Sequence, residues 1–241
     1  MRLDRALVAR GLVRSRTEAL EAIKAGLVEL NGAPARKPAQ DCSDSCTLTL
    51  TAPVRRFVSR GGDKLAHALE RFGVGVEGRH ALDLGSSTGG FTQVLLDAGA
   101  ASVTSVDVGH DQFAAELRAD PRVRLFEGLD ARALSPDHLV HRPDLVVADV
   151  SFISLHKLLP VPLLLADDPA DLIALVKPQF EVGPDGIGKG GLVKSEALQH
   201  KALADVEAFV ASIGWQPQAS TESPILGGDG NREFLLHARR G

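Results

Sequence analysis

Two lysines and two carboxylates stand where they could act on a single reacting group: Lys64, Asp149, Lys177 and Glu233. A ribose hydroxyl is a poor nucleophile until it is deprotonated or strongly polarised. Lysine can do either when neighbouring charges and burial tune it, with carboxylates holding the ammonium groups in place. Asp149 closes the apolar run Leu145–Ala148, Lys177 closes Leu172–Val176, Glu233 opens Phe234–Ala238, and Lys64 is expected just before the first helix of the same region. If those runs are strands of one sheet, the four side chains converge.

A second constellation lies in His80-Ala81-Leu82-Asp83-Leu84-Gly85-Ser86-Ser87-Thr88-Gly89-Gly90-Phe91, which reads as a strand, a glycine-rich turn and the start of a helix. In open α/β sheets such crevices at the carboxyl ends of strands bind ligands, and glycines let a nucleoside approach the backbone. Asp107 follows Gly85 by 22 residues, at the end of the next apolar run, where an acid holds ribose hydroxyls. Ser87 occupies the position where a dinucleotide fingerprint needs its second glycine, so a pyrophosphate fits poorly. Asp83, directly before the turn, suits a cationic, phosphate-free nucleoside such as S-adenosylmethionine, and Asp107, Asp130 and Asp149 stand near the following strand ends.

With that cofactor, the acceptor is narrowed by what is missing. Carbon methylation of cytosine needs a cysteine nucleophile, yet the only cysteines, Cys42 and Cys46, fall far from these strands. Transfer to a base amine calls for an Asp/Asn-Pro-Pro-aromatic turn where this chain has Asp149-Val150-Ser151-Phe152. A hydroxyl acceptor is left as the best supported.

The elements that must position these groups are legible as an alternation. Strand-like runs at Ala81–Leu84, Val103–Val108, Val123–Phe126, Leu145–Ala148, Leu172–Val176 and Phe234–Ala238 are separated by helical stretches such as Phe91–Ala98, Phe113–Arg118 and Glu196–Ile213. That order predicts a mainly parallel, doubly wound sheet. Before it, Leu3, Leu7 and Val8 recur at helical spacing, and Ser15 with Glu18 forms a capping-box signature for a second helix that Gly26 ends. Leu27–Leu30 then runs as a strand into Asn31-Gly32, a type I′ hairpin turn.

Charge divides the chain in the same place. Residues 1–60 carry 11 Lys and Arg against 6 Asp and Glu, whereas the rest carries 16 against 25. A small basic module joined to a larger acidic one points to a phosphate-bearing partner for the first. The expected layout is a module over 1–53, a linker over 54–62 and a sheet domain over 63–241.

The N-terminal pattern Arg2-Leu3-Asp4, Leu7, Gly11, Ser15-Arg16, Ala19, Ile23, Gly26, Val28 and Asn31-Gly32 resembles the S4-type RNA-binding domain. The quartet resembles the Lys-Asp-Lys-Glu tetrad of FtsJ-like RNA 2′-O-methyltransferases. Further segments widen the likeness: Ser59 to Leu65, Gly85 to Phe91, Val106 to Gly109, Ala148 to Ser154, Val176 to Glu181 and Asn231-Arg232-Glu233 are similar to the TlyA family, whose members join both domains, methylate ribosomal RNA and are often also named haemolysins.

The resemblance implies an α/β fold: a Rossmann-like S-adenosylmethionine-dependent methyltransferase domain behind a small N-terminal α+β S4-type RNA-binding domain. It implies Lys64, Asp149, Lys177 and Glu233 as catalytic, with Lys177 activating the 2′-hydroxyl. Asp83, Gly85, Ser86, Ser87, Thr88, Gly89, Gly90, Phe91, Asp107, Asp130 and Asp149 would bind the cofactor. Arg2, Arg5, Arg10, Arg14, Arg16, Lys24, Arg36, Lys37, Arg60 and Lys189 would meet RNA, chiefly through phosphates. Departures from the family are Asp111, where a small residue is usual, and Asp130, where Asn is usual.

Other readings find less support. Gly183 to Lys189 fits G-x-x-x-x-G-K, but Gly190 replaces the hydroxyl residue that would hold magnesium. His138 and His141 have no cysteine beside them, and two cysteines make neither a disulfide framework nor a four-cysteine zinc site, so no metal is expected. The longest apolar stretch, Leu158 to Ala166, is broken by Pro160 and Pro162, and the first residues lack a secretory hydrophobic run. The expectation is a cytoplasmic protein that does not enter membranes, with ribosomal RNA or ribosomal subunits as partner. A non-catalytic ribosome-assembly factor and a haemolysin are the alternatives, and the oligomeric state is left open.

Overall fold

The computed structural model describes residues 1–13, 15–43, 45–52 and 57–241. The chain divides into two compact units, Met1–Arg56 and Phe57–Gly241. Phe57 to Gly62, expected as linker, thus belong to the second unit.

In the first unit, helices α1 (Leu3–Ala9) and α2 (Arg16–Lys24) pack with a three-stranded antiparallel sheet of β1 (Val28–Leu30), β2 (Ala33–Pro34) and β3 (Leu48–Leu50), in the order β2-β1-β3. Leu3, Leu7, Ala19, Ala22, Ile23 and Val28 form its core. Ser15 caps α2 by accepting from the Glu18 amide at 3.2 Å, and Asn31 and Gly32 both take positive φ, at 54° and 79°, as a type I′ turn requires. Cys42 and Cys46 are joined as a disulfide with a sequence separation of 4. It closes one short loop and ties no distant elements together, so it is not a framework, although the sequence reading foresees no bond here.

The second unit runs α3 (Gly61–Phe72), β4 (His80–Leu84), α4 (Gly90–Asp97), β5 (Ser102–Asp107), α5 (Ala115–Arg118), β6 (Val123–Glu127), β7 (Leu145–Ala148), α6 (Leu155–Leu158), α7 (Pro160–Leu165), β8 (Ala170–Val176), α8 (Pro178–Glu181), α9 (Glu196–Ser212), β9 (Gln216–Glu222) and β10 (Phe234–Arg240). Seven strands form one sheet in the order β6-β5-β4-β7-β8-β10-β9. The first five are parallel, while β10 inserts antiparallel between β8 and β9. Along β8, Leu172, Ala174 and Val176 enter one core while Ile173 and Leu175 enter the other. This period-two alternation, apolar on both sides, is what a sheet covered on both faces demands.

Two differences from the sequence reading have clear causes. The edge strand β9 (Gln-Pro-Gln-Ala-Ser-Thr-Glu) is almost wholly exposed and polar, so it carries no apolar alternation to reveal it. Lys64 lies within the first turns of α3 rather than before a helix. Gly61-Gly62 read as a linker, but a Cβ on Gly62 would come within 2.4 Å of the Phe57 side chain. The glycines there permit close packing at a helix start.

Candidate active site

The carboxyl ends of β4, β5 and β7 border a cleft of about 960 Å³. The turn from β4 to α4 forms its floor, with positive φ at Gly85 (81°), Ser87 (46°) and Gly89 (95°). A Cβ at Gly85 would stand 2.4 Å from the Asp149 carbonyl oxygen, so glycine is needed both for its φ and for this close approach. Asp83 is fully buried. Its Oδ2 accepts from Thr92 Oγ1 at 2.6 Å, and its Oδ1 has no partner. Burial pushes the Asp83 carboxyl up to about 7, against the Thr92 hydrogen bond and with help from nearby Asp149 and Asp107. Ser86 Oγ and Thr88 Oγ1 are likewise buried without partners.

Asp107, at the end of β5, accepts from the Ser87 amide at 2.8 Å and the Gly109 amide at 2.7 Å, which fixes its carboxylate on the cleft wall. Asp130 also lines the cleft, with both oxygens held by Arg132 at 3.0 and 2.6 Å. These hydrogen bonds hold its carboxyl below the usual range. Of the residues expected to hold the cofactor, Gly85, Ser87, Asp107, Asp130 and Asp149 line the cleft. Asp83, Ser86, Thr88 and Gly89 stand behind its surface. Phe91 is a correction: α4 turns inward after Gly89, and Phe91 is part of the core. Gly90 is packed so tightly that a Cβ would come 2.1 Å from Ser59 Oγ.

The structure brings the four proposed catalytic residues together as two ion pairs. Lys64 pairs with Glu233, across 169 residues of sequence, and Lys177 Nζ lies 2.7 Å from Asp149 Oδ1 while donating to Ser151 Oγ at 2.9 Å. Burial raises the Glu233 carboxyl, opposed by Lys64 and Lys177 and reinforced by Asp149. Glu233 therefore feels Lys177 and Asp149 as well as its own partner, which puts the two pairs close to one another.

Sequence reasoning missed several neighbours. Phe152, beside Ser151, is 92% exposed, has a φ of 65° and meets Phe180 with ring centroids 5.4 Å apart. Gln179 is buried. Its Nε2 donates to Asp229 Oδ2 at 3.1 Å, and its Oε1 has no partner. Their place just past strand ends was the available signal; exposure and pairing were not readable.

Among the residues expected to meet RNA, Arg16 donates to the buried Asp4 at 2.8 Å and Arg2 pairs with it at 3.0 Å, holding Asp4 well below the usual carboxylate range. Arg10 donates to the carbonyls of Cys46 and Ser43 at 2.6 and 3.0 Å. Arg5, Lys24, Arg36 and Lys37 are exposed, as are Arg60 and Lys189, and Arg14 lies outside the described residues. The Gly183–Lys189 segment forms short 3-10 turns, and the next α-helix begins only at Glu196, so it lacks the helix that a phosphate loop requires. His138 bonds Ser135 and His141 stacks on His80; among the described residues no cluster of His, Cys, Asp or Glu could hold a metal. No helix of the described residues is long and apolar enough to cross a membrane.

The cleft's chemistry fits S-adenosylmethionine. Three carboxylates, Asp107, Asp130 and Asp149, line the cleft beside a glycine turn that carries no cation, and Arg132 is tied up by Asp130, so a sulfonium nucleoside is favoured over a phosphate; behind that surface Asp83, Ser86 and Thr88 keep polar atoms without partners.

Comparison with known proteins agrees with this arrangement. The FtsJ-like methyltransferase family model matches residues 57–240 and the S4 domain model matches residues 1–45. The chain is 48% identical over 239 residues to the 16S/23S rRNA (cytidine-2′-O)-methyltransferase TlyA of Mycobacterium tuberculosis, covering 99% of this chain and 89% of that protein. It is 35% identical to the 23S rRNA (cytidine-2′-O)-methyltransferase TlyA of Campylobacter jejuni, covering 98% of each. A solved structure from Streptococcus thermophilus, named as a hemolysin, superposes with a TM-score of 0.79 at 40% identity, covering 100% of this chain and 88% of that one. With both domain models matched in order and a relative 48% identical over nearly the whole chain, this protein belongs to the TlyA family of FtsJ-like methyltransferases.

Proposed function

We propose that this chain transfers a methyl group from S-adenosylmethionine to a ribose 2′-hydroxyl of ribosomal RNA, with cytidine, the nucleotide in its relatives' names, as the expected target. The single observation that carries this reading is the Lys177–Asp149 pair, 2.7 Å apart, at the ends of adjacent parallel strands beside the glycine turn, with Glu233 of the second pair near enough to feel it. When bound, the cofactor supplies an electrophilic methyl group on a sulfonium. Asp107 would accept from its ribose hydroxyls, and Asp83, Gly85 and Ser87 would hold its amino-acid end and sulfonium neighbourhood.

Lys177 is held by its ion pair with Asp149 and by the hydrogen bond it donates to Ser151 Oγ. A remaining N–H would donate to the 2′-oxygen, turning a lone pair of that oxygen toward the cleft; as the oxygen–methyl bond forms and the sulfonium–methyl bond breaks to leave a thioether, the hydroxyl proton passes to water. Asp149 orients Lys177 and keeps it from drifting. Lys64 and Glu233 are both buried, where each charge counts for more than it would in water. The exposed Phe152 offers the target base an apolar face at the mouth, and base–aromatic stacking contributes about 1–3 kcal/mol.

The S4 unit supplies affinity for folded RNA through Arg5, Lys24, Arg36 and Lys37, which have open exposure. A ribosomal RNA substrate supports the cytoplasm as the site of action. The test is tritiated methyl transfer to naked RNA, separated subunits and whole ribosomes, followed by alkaline hydrolysis. A 2′-O-methyl group blocks backbone attack, so the modified linkage should resist alkali; a labile linkage at the labelled site overturns the reading.

A further inference from the structure

We infer that Glu181 is a positioning residue which, through Ser154 and Leu155, holds the loop carrying Asp149 in register with the turn carrying Lys177. This inference rests on the methyl-transfer reading above. The register between β7 and β8 ends at Ala148 opposite Ala174. Asp149 to Ser154 and Lys177 to Glu181 therefore leave the sheet side by side, and among the described residues no backbone hydrogen bond joins the two segments. A catalytic pair mounted beyond the last ladder bond depends on side chains for its geometry.

Three side-chain ties cross that gap. One is the catalytic contact itself, Lys177 to Asp149 and Ser151. Another is the tilted ring contact between Phe152 and Phe180, which is open to solvent at Phe152. The third is Glu181: Oε2 accepts from Ser154 Oγ at 2.6 Å and Oε1 accepts from the Leu155 amide at 2.9 Å. Ser154 Oγ in turn accepts from the His156 amide at 3.2 Å, so the hydroxyl is oriented from both sides.

Both Glu181 bonds are partly buried, and charge-assisted bonds of this kind are the shorter and stronger class. The loop they grip contains a strained residue, since a φ of 65° at Phe152 persists only where the surroundings over-determine it. Glu181 supplies that fixation from the Lys177 side, while standing outside the set of residues that would touch substrate. It therefore acts through the Asp149–Lys177 distance.

The test compares Glu181→Ala, Ser154→Ala and Glu181→Gln with the wild-type full chain by single-turnover tritium transfer at saturating RNA and S-adenosylmethionine. A displacement of about 1 Å in a reacting geometry costs as much as 100-fold, so Glu181→Ala should slow transfer about 10- to 100-fold. Ser154→Ala should slow it in the same direction with a smaller structural change. Glu181→Gln can still accept from Leu155 and donate to Ser154, and should recover most of the rate. Cofactor affinity by calorimetry should stay near wild type. In a Lys177→Ala background, Glu181→Ala should add no further loss, because the contact it serves is gone.

Full additivity in that background overturns the inference. So does a wild-type single-turnover rate in both Glu181→Ala and Ser154→Ala, or a defect confined to melting temperature. Tritium counts methyl on any RNA atom, so these rates judge the positioning role, whereas alkali lability of the wild-type product judges the ribose reading separately.

Discussion

The two ends of the parallel sheet carry similar residues with opposite meanings. At the carboxyl end stand Lys64, Asp149, Lys177 and Glu233; at the amino end stand Arg79, Asp144, Asp171 and His237. Burial does not separate them: side-chain exposure spans 3–20% in the first group and 11–34% in the second. Satisfaction does. Arg79 donates to Asp171 at 2.7 Å and to the Asp144 carbonyl, and His237 bonds the other Asp171 oxygen at 2.8 Å. Beside the catalytic quartet, Asp83, Ser86, Thr88 and Gln179 retain buried polar atoms without partners. A closed network holds strands together, and an open one waits for a ligand.

The sharpest way to break this comparison is Lys177→Ala. It should slow methyl transfer about 10²–10⁴-fold while leaving cofactor binding and thermal stability close to wild type. A normal single-turnover rate would remove Lys177 from the chemistry.

Asp171→Ala should do the reverse. It strands Arg79 and His237 at a partly buried site and should cost about 2–3 kcal/mol of stability, with kcat little changed at a permissive temperature. Burial pushes the Asp171 carboxyl up, but the hydrogen bonds from His237 and Arg79 outweigh this and hold it below its ordinary value. An acid with a depressed folded pKa stabilises above its unfolded pKa and loses that contribution as pH falls through the folded one. The melting difference between Asp171→Ala and wild type should therefore be full at neutral pH and shrink below about pH 4. A difference that is constant with pH would detach it from this carboxylate.

Asp83→Asn sharpens the contrast from the ligand side. Burial raises the Asp83 carboxyl to about 7, so its ionisation opposes folding from the unfolded pKa upward, fully above about pH 7. The substitution should stabilise the ligand-free protein at pH 8 and by less at pH 5, while weakening S-adenosylmethionine binding. Equal melting shifts at both pH values would contradict this assignment.

The smallest effect tests the same rule in the S4 unit. Arg2 and Arg16 are engaged by Asp4, whereas Arg36 and Lys37 are exposed. Replacing Arg36 and Lys37 with Ala should flatten the salt dependence of RNA binding by roughly 0.7–0.9 per lost phosphate contact, at unchanged melting temperature. Arg16→Ala should instead lower stability. Matching behaviour of both changes would show that engagement by Asp4 does not sort these arginines.

By itself the sequence determined what short-range chemistry dictates. The Asn31-Gly32 turn needs two residues that tolerate positive φ, the Ser15 cap needs a hydroxyl three residues before a free amide, and the β4–α4 turn needs glycine at its positive-φ positions 85 and 89. The runs of β7 and β8 were legible because strands buried on both faces are nearly continuously hydrophobic, and the shorter apolar stretches of β4, β5 and β6 were legible by their regular alternation with helices. Only the tertiary structure decided which distant groups meet. Nothing local links Lys64 to Glu233 or Arg16 to Asp4, marks the polar edge strand β9, or inserts β10 between β8 and β9. Spacing set Asp149, after its strand, apart from Asp171, at the start of its own, but it could not say how fully either acid is satisfied. Their difference is whether neighbouring segments supply enough donors, and that is set by packing between elements far apart in the chain.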